Sequence, residues 1–108
     1  MSGLECYLKT KSNKFKRHHI MVQDQTLHFF RNRSDESSRQ KHPLSNCHLR
    51  LAKAQKIEAA DVTVNYLFPV QADVPPDRTR LLYFDSERAQ IDCLNTLLNV
   101  QGFENQLD

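Results

Sequence analysis

Lys9, Lys11, Lys14, Lys16 and Arg17 place five cationic side chains within nine residues, with no carboxylate among them. His18, His19, His28, Arg31 and Arg33 extend the cluster, so residues 7–33 hold ten of the chain's twenty Lys, Arg and His residues. Side chains of this kind attract anions and hydrogen-bond to them, phosphate above all. A hairpin would gather them around one open end, where a membrane surface contributes about 1 kcal/mol for each nearby basic side chain. The ordinary alternative is that Lys and Arg simply fill exposed strand faces and hairpin ends.

Other chemistry finds little footing. The sequence has no Gly-rich phosphate loop, no nucleophile elbow, no HExxH and no CxxC. Cys47 and His48 are adjacent in an alternating stretch, so they point to opposite faces and cannot ligate one metal without distortion. His18 and His19 split in the same way, His18 expected exposed and His19 half-buried. Asp61, Asp73, Asp77 and Asp85 lie in or beside expected loops without an evident partner. Cys6, Cys47 and Cys93 are odd in number and widely spaced, which reads as reduced thiols rather than a disulfide framework. No catalytic residue, metal ligand or cofactor is therefore expected. Nucleic acid is not expected either, because Phe15, Phe29 and Phe30 look committed to strand faces and leave no platform for stacking bases.

The elements that must carry the basic cluster are short strands. "ECYLKTK" puts Cys6 and Leu8 on one face and Tyr7 on the other. "FKRHHIMV" follows the turn-like "SNK"; Phe15 falls out of step with Ile20 and Val22, which suggests a bulge. After "QDQ", "TLHFFRNR" sets Leu27 and Phe29 against His28 and Phe30. Loops this short imply an antiparallel meander. Residues 32–43 are polar and read as a long exposed loop. "NCHLRLA" then alternates with Cys47, Leu49 and Leu51 inward, and a brief strand is expected around Ile57. "VTVNYLFPVQ" is a strand that Pro69 assigns to an edge or a bulge. "ADVPPDR" is a rigid loop and "TRLLYFD" the last strand. A helix is predicted over 86–100, capped by Asp85 or Ser86 and ended by Gly102, burying Ile91, Leu94, Leu97 and Leu98. The fold class is mainly β: a seven-stranded antiparallel barrel or sandwich closed by one C-terminal helix.

The net charge of +2 hides an asymmetry. Residues 1–41 carry nine Lys/Arg against four Asp/Glu, and residues 42–108 carry six against nine. At 108 residues the chain fits one domain, 1–108 with a core of about 4–102. Lacking an 18-residue apolar run or a signal-like N-terminus, it is expected in the cytoplasm, with a peripheral place at a membrane's cytosolic face.

In this order and spacing, "CYLKTK", "KFKRHHIMV", "LHFF" and "RLLYFDSERAQIDCLNTLL" resemble a pleckstrin homology domain from about residue 4 to residue 102. Two positions depart from the family. Cys6 stands where a Gly usually precedes the first aromatic, and Cys93 where the closing helix usually has its Trp, so neighbouring Phe or Leu must fill the space. The resemblance implies that the loop between the first two strands cradles an inositol phosphate headgroup. Lys16 matches the family's early second-strand cation. His18 falls where an Arg is usual, and an imidazole lacks the planar fork that grips phosphate. The first-strand Lys position falls nearest Thr10, flanked by Lys9 and Lys11, whose side chains would emerge on the opposite face.

The residues expected to meet an anionic lipid headgroup, phosphoinositide or phosphatidylserine, are thus Lys9, Lys11, Lys14, Lys16, Arg17, His18 and Arg31. The alternative is a protein-interaction module of a larger signalling or trafficking protein, using strand edges or a groove beside the closing helix, with no lipid bound. The acidic second part would then favour a basic partner. Ser34, Ser37 and Ser38 are candidate phosphorylation sites in the polar loop.

Overall fold

The computed structural model describes residues 4–12, 14–31, 40–56 and 66–102. Its strands are β1 (Leu4–Lys9), β2 (Phe15–Gln23), β3 (Thr26–Phe30), β4 (Gln40–Pro43), β5 (His48–Leu51), β6 (Gln55–Lys56), β7 (Tyr66–Val74) and β8 (Arg78–Phe84), followed by helix α1 (Glu87–Val100). All pair antiparallel, and the main path runs β4-β3-β2-β1-β8-β7-β5, with β6 beside β7. β1 faces β2 along its whole length but meets β8 only at Tyr7 and Tyr83, where the sheet turns from one half to the other. The expected architecture is present: a seven-stranded antiparallel path capped by one C-terminal helix.

Alternation builds the core. Cys6 and Leu8, Ile20, Leu27 and Phe29 come from one half, Val70, Ala72, Leu82 and Phe84 from the other, and Cys93, Leu94 and Leu97 from the helix, all in one buried cluster. Each fully buried aliphatic or aromatic side chain here is worth roughly 1.5–3 kcal/mol relative to exposure. Phe15 belongs elsewhere. The β1–β2 register is unbroken from Leu4 opposite Ile20 to Lys9 opposite Phe15, so there is no bulge. Odd-numbered Phe15 instead faces the other side of the sheet, where it packs edge-on against Tyr83 at 5.0 Å beside Leu67.

Four further expectations need correction. Residues 40–43 are not loop but β4, paired to β3; residues 32–39, with the three serines, lie outside the described residues, as does Ile57. Leu51 is exposed rather than inward. Ala72–Val74 and Arg78 extend the flanking strands into what reads as the "ADVPPDR" loop, and Asp73 there accepts from Thr79 Oγ1 at 2.6 Å and from Gln71. Pro69 is not at an edge: it is buried mid-strand between β8 and the junction of β5 with β6. Its carbonyl accepts from Ala52 N–H at 3.0 Å, so its proton-less nitrogen faces that junction, where no ladder bond is required of it.

Ser86 is the helix cap, its Oγ accepting from Ala89 N–H at 3.1 Å. Gly102, at φ +94°, reverses the chain in a region that side chains avoid and donates to the Asn99 carbonyl. Cys93 fills the plug position at 1 % exposure, while Ile91 and Leu98 are only half-buried. Glutamines fasten the rest. Buried Gln90 donates to the Pro69 carbonyl at 2.8 Å, Gln101 to the Leu44 and Cys47 carbonyls at 2.7 Å each, and Gln25 to the Val100 carbonyl at 2.8 Å.

Candidate anion-binding cleft

β1 ends at Lys9, and the chain then turns. Thr10 N–H donates to the Lys14 carbonyl at 2.7 Å, and Lys14 N–H returns a bond to Thr10 Oγ1 at 3.2 Å. Strand alternation lapses beyond Lys9, which frees Lys11 from the opposite-face assignment, while Lys9, opposite Phe15 in the register, reaches the rim from the last position of β1. Both line one cleft of about 470 Å³, together with Leu8, Thr10, Lys16, His18, Arg31, Gln40 and Arg80. Five of the seven residues expected to meet an anion are therefore neighbours: Lys9, Lys11, Lys16, His18 and Arg31. Among the described residues no carboxylate is on the lining.

Two are placed elsewhere. Lys14 stands exposed in the β1–β2 turn. Arg17, odd-numbered like Phe15, projects from the opposite face, where its Nη2 donates to the Tyr7 hydroxyl at 3.1 Å and its Nη1 lies 4.0 Å from Glu5. These contacts raise its pKa further.

His18 is not exposed, as the sequence suggested, but buried at 6 %. It sits opposite Cys6 and on the face of Ile20, which turns its ring inward to the floor of the cleft. Its Nδ1 lies 3.0 Å from the Lys16 carbonyl, which can only accept, so Nδ1 carries the proton. Burial pushes the imidazole pKa down, the Lys16 carbonyl opposes this, and Arg31, Arg80 and Lys16 push it down further. The ring is thus neutral near pH 7, with Nε2 an acceptor.

Arg80 was not anticipated. It shares the inward face of β8 with Leu82 and Phe84, and its guanidinium carbon stands 5.3 Å over the Phe29 ring. Its Nη2 donates to Gln40 Oε1 on β4, and half-burial followed by repulsion from Arg78 lowers its pKa. Alternation in "TRLLYF" carried the signal: a cation in step with buried 82 and 84. Arg80 restores beside His18 the planar donor fork that position 18 lacks.

Among the described residues the remaining reactive side chains, the thiols, are dispersed and buried. Cys6, Cys47 and Cys93 are free and buried. Burial pushes the Cys47 thiol up to about 11 and the Cys93 thiol up to about 12, leaving little thiolate for nucleophilic attack. Among the described residues no group of three His, Cys, Asp or Glu side chains could hold a metal ion, and no helix is long and apolar enough to cross a membrane. No protein-family model matches the chain, and no curated protein matches it.

Proposed function

We propose that the chain is a single pleckstrin-homology-like domain, 1–108 with its core at about 4–102, and that it is a non-catalytic targeting module binding anionic membrane lipid at its basic cleft. One observation carries this reading: Lys9, Lys11, Lys16, Arg31 and Arg80, drawn from β1, β2, β8 and the segments after β1 and β3, line one cleft with no carboxylate on its walls among the described residues. Unneutralised cations drawn together repel one another, and an anion relieves that repulsion. Arg80 and Lys16 supply the directional donors, while Lys9, Lys11 and Arg31 supply charge. Lys14, at the hairpin tip, adds long-range attraction to the same surface. The proposed setting is the cytosolic face of a membrane.

Co-sedimentation tests the reading, with vesicles of neutral lipid, vesicles carrying phosphatidylserine and vesicles carrying one phosphoinositide each, at low and high salt. Binding to one phosphoinositide that survives high salt marks a shaped headgroup site. Binding that follows total charge and disappears in salt marks an electrostatic surface, which the reading also accommodates. Absence of sedimentation with every anionic vesicle overturns it.

A further inference from the structure

The sheet path ends at β5, whose one strand neighbour among the described residues is β7. Ala52 N–H points to β7, where it meets the Pro69 carbonyl. Alternate residues of a strand direct their backbone groups the same way, so those of His48 and Arg50 also face β7. Leu49 and Leu51 therefore turn their N–H and C=O groups away from β7, to the side on which no strand is paired among the described residues. Beside this edge lies a groove of about 690 Å³ between β5, the last turns of α1 and the 44–47 turn, with Leu44, Cys47, Leu49 and Leu98 as its apolar walls. Its polar wall is already satisfied, because Gln101 holds the Leu44 and Cys47 carbonyls.

Charge narrows the choice of occupant. Residues 40–56 carry Lys41, Arg50, Lys53 and Lys56 and no Asp or Glu, a local reversal of the acidic balance of the chain's second part. Arg50, Lys53 and Lys56 are exposed, and the ion pair in this stretch among the described residues is Arg50 with Asp73 at 3.7 Å. A second copy pairing β5 to β5 would bring these basic edges together, which is unfavourable. We infer that the β5 edge and its groove take an extended, acidic segment of another protein, added as a further strand. Its backbone pairs with Leu49 and Leu51. Apolar side chains on its inner face enter the groove beside Leu98, and alternate carboxylates on its outer face meet Arg50 and Lys53. The inference stands apart from the lipid-binding cleft and does not depend on it.

The test uses isotope-labelled protein and an end-blocked octapeptide alternating glutamate with valine, with a lysine–valine octapeptide as control. The Leu49 and Leu51 amide resonances are expected to shift saturably and to exchange with solvent more slowly on adding the acidic peptide. Leu51→Pro removes one donor from the free side and leaves the β7 ladder intact, so it should weaken binding about five- to tenfold. Should that variant fold poorly, R50E/K53E must weaken the acidic peptide and strengthen the lysine peptide. Equal binding of both peptides by the native protein overturns the inference. So do shifts confined to the Lys9–Arg80 cleft, or Leu49 and Leu51 amides already protected in the free protein. Dimers in sedimentation equilibrium that Leu51→Pro abolishes would assign the edge to a second copy and overturn it too.

Discussion

The cleft and the groove occupy opposite ends of the β2–β3 hairpin and are built on opposite terms. At one end, Lys16, His18 and Arg31 face an open space lined by cations. At the other, the 24–25 turn brings Gln25 to an apolar groove whose polar wall is closed by glutamine amides. The seven-residue step from His18 to Gln25 separates them by on the order of 20 Å. Cations with no carboxylate partner among the described residues favour a ligand that brings its own charge, at the mercy of salt. A strand edge that is unpaired among the described residues, beside apolar walls, favours a ligand that brings backbone donors and side-chain area, which salt affects less. On the two readings proposed above, a single small sheet keeps electrostatic and directional recognition apart.

The contrast can be broken most decisively at the cleft. Replacing Lys9, Lys16 and Arg80 together by Gln should lower affinity for phosphatidylserine vesicles by about a hundredfold, since each basic side chain contributes about 1 kcal/mol. The acidic-peptide shifts at Leu49 and Leu51 should persist in that variant; their loss would mean the two ends are coupled. Co-sedimentation and amide spectra on the same protein decide it.

Gln101→Ala is the complementary cut. Losing two bonds to buried carbonyls should cost about 1–3 kcal/mol in chemical denaturation, with faster amide exchange around Leu44 and Cys47. Vesicle binding at native conditions should be unchanged.

Acidification separates stability from affinity. The folded-state pKa values of His18 and His42 are both lowered, chiefly by burial, so below the unfolded imidazole value the unfolded chain binds more protons. Their contribution is present above about pH 6.5 and is lost as pH falls through that value toward the folded pKa values, so the melting temperature should drop. Vesicle affinity should move the other way. A bound anion raises the His18 pKa, protonated Nε2 becomes a donor, and binding strengthens as pH falls. His18→Gln should flatten that affinity profile; a profile unchanged in this variant would remove His18 from the site.

The smallest effect belongs to Arg17→Gln. The guanidinium is already engaged by Tyr7 and Glu5 on the opposite face, so vesicle affinity should change by less than about twofold, against the larger loss expected for Lys16→Gln. A comparable loss in both would place the lipid surface across both faces of the hairpin.

Period-two alternation made β1, β2, β3, β7 and β8 legible, and with them the inward set Cys6, Leu8, Ile20, Leu27 and Phe29. The helix was legible from its stripe and from Ser86 and Gly102. β4 was not, because "QKHP" is polar and becomes a strand only by pairing with β3. Pro69 read as a sign of an edge or a bulge because a sequence does not show which interruption is present; here a mid-sheet nitrogen faces the junction of two shorter strands, where 52–54 oppose 68–69.

Local sequence by itself determined which residues alternate, where the chain turns and that the first hairpin is basic. These depend on neighbours one to four positions away. Tertiary structure alone decided which of those cations share a space. It sent Arg17 to one face, drew His18 under Lys16, ended β1 at Lys9 so that Lys11 turns to the cleft, and brought Arg80 from β8 to stand over Phe29. The reason is that strand pairing is a long-range choice. Register assigns faces within a strand, but only the packed order of strands decides which faces meet.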